Sequence, residues 1–197
     1  MIRSIFRCLI LWATLTLPAK AGEIATSVDL SALPEAKRTP LGLYLTPADA
    51  YAALVDDPGI VFLDVRDPTE VSFVGHAEGI DAIVPLKTST LKFDAERGAY
   101  VMQANPDFVT QADAIMVREG KSRSDPVFVI CRSGGRSAAS ARMLIEAGYT
   151  NVWSLVEGFE GDMNRETGQR DRNGWRNAGL PWSYKLEARI AWQPASN

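Results

Sequence analysis

Three short runs of this 197-residue chain are apolar at consecutive positions rather than at alternate ones: residues 60–65 (IVFLDV), Val127–Ile130 (VFVI) and residues 152–156 (VWSLV). A strand sends successive side chains to opposite faces, so such a run is stable only where both faces are covered. That condition points to a mostly parallel sheet with helices on either side. Residues 83–86 form another short buried run, and residues 41–45 (LGLYL) a short outer one.

Helix signals lie between the runs. Thr46-Pro47-Ala48-Asp49 offers an N-cap, a proline at the first position and an acid in the first turn. The helix is predicted to reach about Val55, with Tyr51, Leu54 and Val55 inward, and to stop at Asp57-Pro58-Gly59. A short helix is expected over Pro68–Val74. Asn105-Pro106 opens another, with Phe108, Ala112, Ile115 and Met116 on one face and Gly120 at its end. Residues 135–147 give the clearest helix, closed by Gly148. Residues 87–104 show no period and read as a loop or insertion. Strands alternating with helices make βαβ units, whose sites lie at the carboxyl ends of the strands. Cys131 stands at the carboxyl end of Val127–Ile130.

Residues 1–21 read as a secretory signal peptide. Arg3 and Arg7 precede a short apolar run, residues 8–17, and Pro18-Ala19-Lys20-Ala21 supplies the small-x-small pattern before Gly22. The competing reading is an uncleaved anchor, for which the run is short. Cys8 follows Arg7 rather than the small residues of a lipid-attachment site. Cleavage would remove Arg3, Arg7 and Lys20, lowering Lys+Arg from 21 to 18 against 24 Asp+Glu, so the net charge would move from −3 to −6. Neither nucleic acid nor an anionic membrane surface suits that balance. The mature chain would hold one cysteine, Cys131. A lone cysteine in an exported protein is either an inert buried residue or a reactive thiol.

The segment Cys131-Arg132-Ser133-Gly134-Gly135-Arg136-Ser137 joins a strand to a helix. Three effects converge on it. The helix start presents unpaired N–H groups and positive dipole character. Two glycines let the backbone curl into an anion-binding concavity. Arg132 and Arg136 add positive charge. All three favour thiolate over thiol at Cys131, and the thiolate is the nucleophile. Against this stand plainer readings: Cys131 as a small hydrophobe, Arg132 as a solvated charge, Arg136 as half of a salt bridge.

Residues 60–67 (IVFLDVRD), Gly75-His76 and residues 127–148 together resemble a rhodanese-homology domain, over about residues 41–161. The tail with Trp175 and Trp182 is similar to that of bacterial single-domain members, which favours the periplasm. The resemblance implies an α/β fold with a parallel sheet of about five strands and helices on both faces. It implies residues 22–40 as an N-terminal arm, 41–161 as the domain, and 162–197 as a tail packing on it, with Trp175 and Trp182 against the sheet edge. It further implies a sulfurtransferase working through a Cys131 persulfide, with thiosulfate or a related sulfane as donor and no cofactor or metal. The loop N–H groups and Arg132 would hold the anion. Asp64 and Arg66 would support the loop, and His76, the one histidine, would hydrogen-bond locally rather than act as a base. The acceptor would be a small nucleophile, a thiol or a protein. Two positions depart from the family pattern: Ala77-Glu78-Gly79-Ile80 follows Gly75-His76, and Gly158-Phe159 stands where a glycine pair is common.

Two rivals share these features. Cysteine phosphatases and arsenate reductases also place a cysteine before a helix, but with a loop one residue longer than the four residues between Cys131 and Arg136. That length suits one sulfur atom better than a tetrahedral phosphate. A non-catalytic or persulfide-carrying partner-binding module is the other. The retained cysteine and complete glycine–arginine loop argue for chemistry.

Overall fold

The computed structural model describes residues 24–194, so the expected signal peptide, with Cys8, lies outside the described residues. Along the chain run β1 (Tyr44–Leu45), α1 (Pro47–Asp56), β2 (Val61–Asp64), α2 (Pro68–Val74), β3 (His76–Ala77), β4 (Ala82–Ile83), β5 (Lys87–Asp94), β6 (Ala99–Ala104), α3 (Phe108–Arg118), β7 (Val127–Ile130), α4 (Gly135–Glu146), β8 (Val152–Leu155) and β9 (Trp182–Ser183). The order β1-β8-β7-β2-β4 makes a five-stranded sheet in which all neighbours are parallel. The expected parallel sheet between helical layers is therefore present.

Its two faces are built from alternate residues of the same strands. Val61, Leu63, Val127 and Val129 face Phe108, Ala112 and Met116 of α3 and Ala141 and Leu144 of α4. Phe62, Phe128, Ile130 and Leu155 face the opposite way, onto Ala50 of α1 and Val71 of α2. Those two helices are short, and tail residues complete the cover on their side. Trp175 is fully buried there, with its ring 5.5 Å from Phe62 and 5.9 Å from Tyr51, and its indole N–H donates to Pro181 O at 2.8 Å.

Capping fixes where the helices begin. Thr46 and Asp49 form a reciprocal capping box on α1, and Asp67 and Glu70 form another on α2, each with proline at the first helical position. The segment read as an arm lies against the domain: Ser27 bonds Asp49, and Lys37 Nζ reaches Val156 O and Asp162.

Several expectations are corrected. Residues 87–104 are not a loop but the antiparallel hairpin of β5 and β6, in which Phe93 meets Tyr100 across the strands. Both faces of this ribbon are largely exposed, so no apolar alternation marks it in the sequence. The strand expected at residues 83–86 is in register with β2 only at Ala82–Ile83, although Leu86 N–H still donates to Val65 O at 3.1 Å before the hairpin begins. The one at residues 41–45 pairs only at Tyr44–Leu45. Val55 is 63% exposed rather than inward, since α1 turns Pro47 and Ala50 to the core. Trp175 packs on the sheet face, not its edge. Trp182 sits in β9, which pairs with β3.

Candidate active site

Cys131 leaves the carboxyl end of β7 in the middle of the sheet and is buried. The N–H groups of Gly134 and Ser137 each point at its Sγ from 3.2 Å. Both come from the start of α4, whose first N–H groups have no acceptor within the helix. Gly134 makes the curl possible. Its φ is 91°, a left-handed backbone, and a Cβ there would lie 2.0 Å from Val156 O. Only glycine fits. The sulfur thus sits at the positive end of a helix, inside a concavity of N–H groups.

The side chains of the loop have separate fates. Arg132 is exposed at the rim. Arg136 turns away to Glu70 in a bidentate pair, with Nη2 donating to Oε1 at 2.7 Å and Nη1 to Oε2 at 2.5 Å. Burial alone would raise the Glu70 carboxyl and lower the Arg136 guanidinium. Their mutual hydrogen bonds win, so Glu70 is held below the usual carboxylate range and Arg136 above its ordinary value. The Ser137 hydroxyl is buried and finds no partner among the described residues. Ser133 is half-buried and Gly135 exposed at the mouth of the loop.

Asp64 and Arg66 form a pair with no solvent exposure, Nη2 donating to Oδ2 at 2.6 Å and Nε to Oδ1 at 3.0 Å. Burial works against the Arg66 charge, and Asp64 more than restores it, raising the guanidinium above its ordinary value. Arg66 also donates to Gly75 O at 2.8 Å and lies over Phe159, its Cζ 4.4 Å from the ring centroid. Phe159 N–H in turn donates to Cys131 O at 2.7 Å. The pair therefore bears on the loop through Phe159, without access to solvent. His76 is brought to the tail instead. Its Nδ1 lies 2.9 Å from Ala77 O and its Nε2 3.1 Å from Lys185 O.

Sequence reasoning missed Glu70 and Phe159. Glu70 had a signal, the Asp67-Pro68-Thr69-Glu70 capping box, but nothing in that motif announces Arg136 as a partner. Phe159 had none beyond its departure from a glycine pair.

A family model described as "Rhodanese-like domain" matches residues 46–164, more than half of the chain. The chain belongs to the rhodanese-like domain family. It is 33% identical over 120 residues to "Thiosulfate sulfurtransferase 16, chloroplastic" of Arabidopsis thaliana, covering 61% of this chain and 77% of that one. It is 33% identical over 88 residues to "Thiosulfate sulfurtransferase GlpE" of Actinobacillus succinogenes, covering 45% of this chain and 68% of the other. Among solved structures it is similar to Rv0390 from M. tuberculosis, with a TM-score of 0.55, 34% identity, and coverage of 72% of this chain and 97% of that one. This rhodanese-like domain has its cysteine loop at the carboxyl edge of its parallel sheet.

Proposed function

We propose that this rhodanese-like protein is a sulfurtransferase that carries one sulfur atom on Cys131. The observation that carries the reading is the pair of N–H groups aimed at Cys131 Sγ. Two donors at the sulfur suit a negative charge placed there, and the same concavity suits the anionic outer sulfur of a persulfide.

In the first half-reaction the Cys131 thiolate attacks the outer sulfur of thiosulfate. A sulfur–sulfur bond forms at Cys131, the sulfur–sulfur bond of the donor breaks, and sulfite leaves with the electron pair. In the second, cyanide or a thiolate attacks the persulfide's outer sulfur and the Cys131 thiolate is regenerated. No proton needs to move in either step, which fits a His76 engaged with two backbone carbonyls away from the loop. Arg132, exposed at the rim, meets the incoming anion. The donors named by the relatives make thiosulfate the first substrate to try, and the natural acceptor is a thiol or a protein.

The phosphatase reading loses ground because Arg136, which would close over a phosphate, is committed to Glu70. The signal-like residues 1–21 make the protein an exported one, in a bacterial periplasm on this reading.

Steady-state thiocyanate production with thiosulfate and cyanide tests the proposal. A double-displacement pattern, parallel lines as one substrate is varied against the other, is expected. Intersecting lines would contradict a covalent carrier.

A further inference from the structure

The carbonyls of the sulfur loop are held from behind. Phe159 N–H donates to Cys131 O, and the Glu160 and Gly161 N–H groups both donate to Arg132 O, at 2.9 and 3.1 Å. In a planar trans peptide the C=O and N–H point in opposite directions. Fixing the carbonyls of 131 and 132 toward residues 159–161 therefore turns the N–H groups of Arg132 and Ser133 away from them, to the ligand side of the loop. The approach is close: a Cβ on Gly158 would stand 2.5 Å from both Cys131 O and Ser133 N.

Residues 156–161 are themselves held on their far side, almost wholly by the tail. Gly158 O accepts from Trp175 N at 2.9 Å and Phe159 O from Arg176 N at 3.0 Å. Glu160 O accepts from Asn177 Nδ2 at 3.0 Å, and Gly161 O from Arg170 Nη1 at 2.6 Å. Glu157 Oε2 takes Gly174 N–H at 3.1 Å, and Val156 O takes Lys37 Nζ at 2.8 Å. Residues 159–161 thus spend their N–H groups on the sulfur loop, and residues 158–161 spend their carbonyls on the tail.

We infer that residues 170–177 position the sulfur-binding loop, with Arg170 and Asn177 as positioning residues that act on Cys131 chemistry through residues 159–161 without touching substrate. The helix start supplies the charge; the tail supplies the aim. The inference rests on Cys131 being the sulfur carrier.

The test uses the full chain, as purified, and its variants Asn177→Ala and Arg170→Ala. Two readouts are taken: hydrogen exchange of the amides of residues 132–137, and the rate of sulfur uptake at rising thiosulfate. The expected result is roughly tenfold faster exchange in the loop, with exchange in β2 and β7 unchanged. The maximal uptake rate should fall roughly tenfold while the half-saturating thiosulfate concentration stays within about twofold, because Arg132 at the rim is untouched. Arg165→Ala, an exposed position of the same tail, should match the parent. Parental loop exchange in a folded Asn177→Ala protein overturns the inference, whatever the sulfur assay gives. Absence of uptake by the parent itself counts against the Cys131 reading alone, and exchange still decides the role of the tail. Should Asn177→Ala fail to fold, Arg170→Ala carries the same test.

Discussion

Glu70 and Arg136 bring opposite charges into a half-buried place beside the sulfur loop, and their pairing makes stability depend on pH. The folded protein holds the Glu70 carboxyl below its ordinary value of 4.5. A lowered carboxyl stabilises the fold fully above its unfolded value, and the contribution fades as pH falls through the folded one. Glu70→Gln should therefore cost about 1–2 kcal/mol near neutral pH. The difference from the parent should shrink as acid approaches and passes the lowered carboxyl range. Urea midpoints measured across that range check both size and sign. A gap that stays constant on acidification would mean the charge of Glu70 is not what matters. At this scale the sequence is partly legible. Cys131, Gly134 and the two arginines stand in one short segment, so their chemistry can be read locally. The partner of Arg136 lies 66 positions away, and no local pattern encodes it. The same holds for Arg66, whose stacking on Phe159 joins two strand ends that only the sheet brings together.

Elements differ in how openly they announce themselves. β2, β7 and β8 are continuous apolar runs because both faces of a central strand are covered. α1 and α2 carry their caps in sequence. The β5–β6 hairpin does neither, since Leu91, Phe93, Tyr100, Val101 and Met102 all face outward in part. Lys87 and Ala104 are paired at its base. Replacing residues 88–103 with an Asn-Gly turn should thus leave the sheet intact and change stability by no more than about 1 kcal/mol. A thermal melt of the shortened chain checks this, and loss of a cooperative transition would show the ribbon to be part of the core. The tail gives the opposite expectation. Trp175 fills the space between Tyr51 and Phe62 that two short helices leave open. Trp175→Ala should cost about 3–5 kcal/mol by cavity formation. A denaturation midpoint close to the parent's would contradict that packing role. Sequence composition showed the tail's tryptophans but not their destination, because a buried ring far along the chain leaves no period to read.

The whole molecule is an acidic chain, and on the proposed reading it must receive a doubly charged anion. With 24 acidic against 21 basic residues, net charge does not draw thiosulfate in. A local field has to, and the structure concentrates one at the carboxyl edge of the sheet. There the start of α4 and the N–H groups of Gly134 and Ser137 converge on one sulfur atom, with Arg132 exposed at the rim. The layers behind that edge keep the geometry: the Asp64–Arg66 pair under Phe159, and the tail under residues 158–161. The fold class and the candidate cysteine follow from patterns written along the chain. The support behind them depends on contacts between distant segments. The most direct measurement is the intact mass of the protein after incubation with thiosulfate, taken beside Cys131→Ser. A gain of about 32 Da in the parent, removed by cyanide with release of thiocyanate and missing from the variant, is the predicted result. A parent mass that does not change with thiosulfate or any other sulfane donor would contradict the sulfur-carrier account.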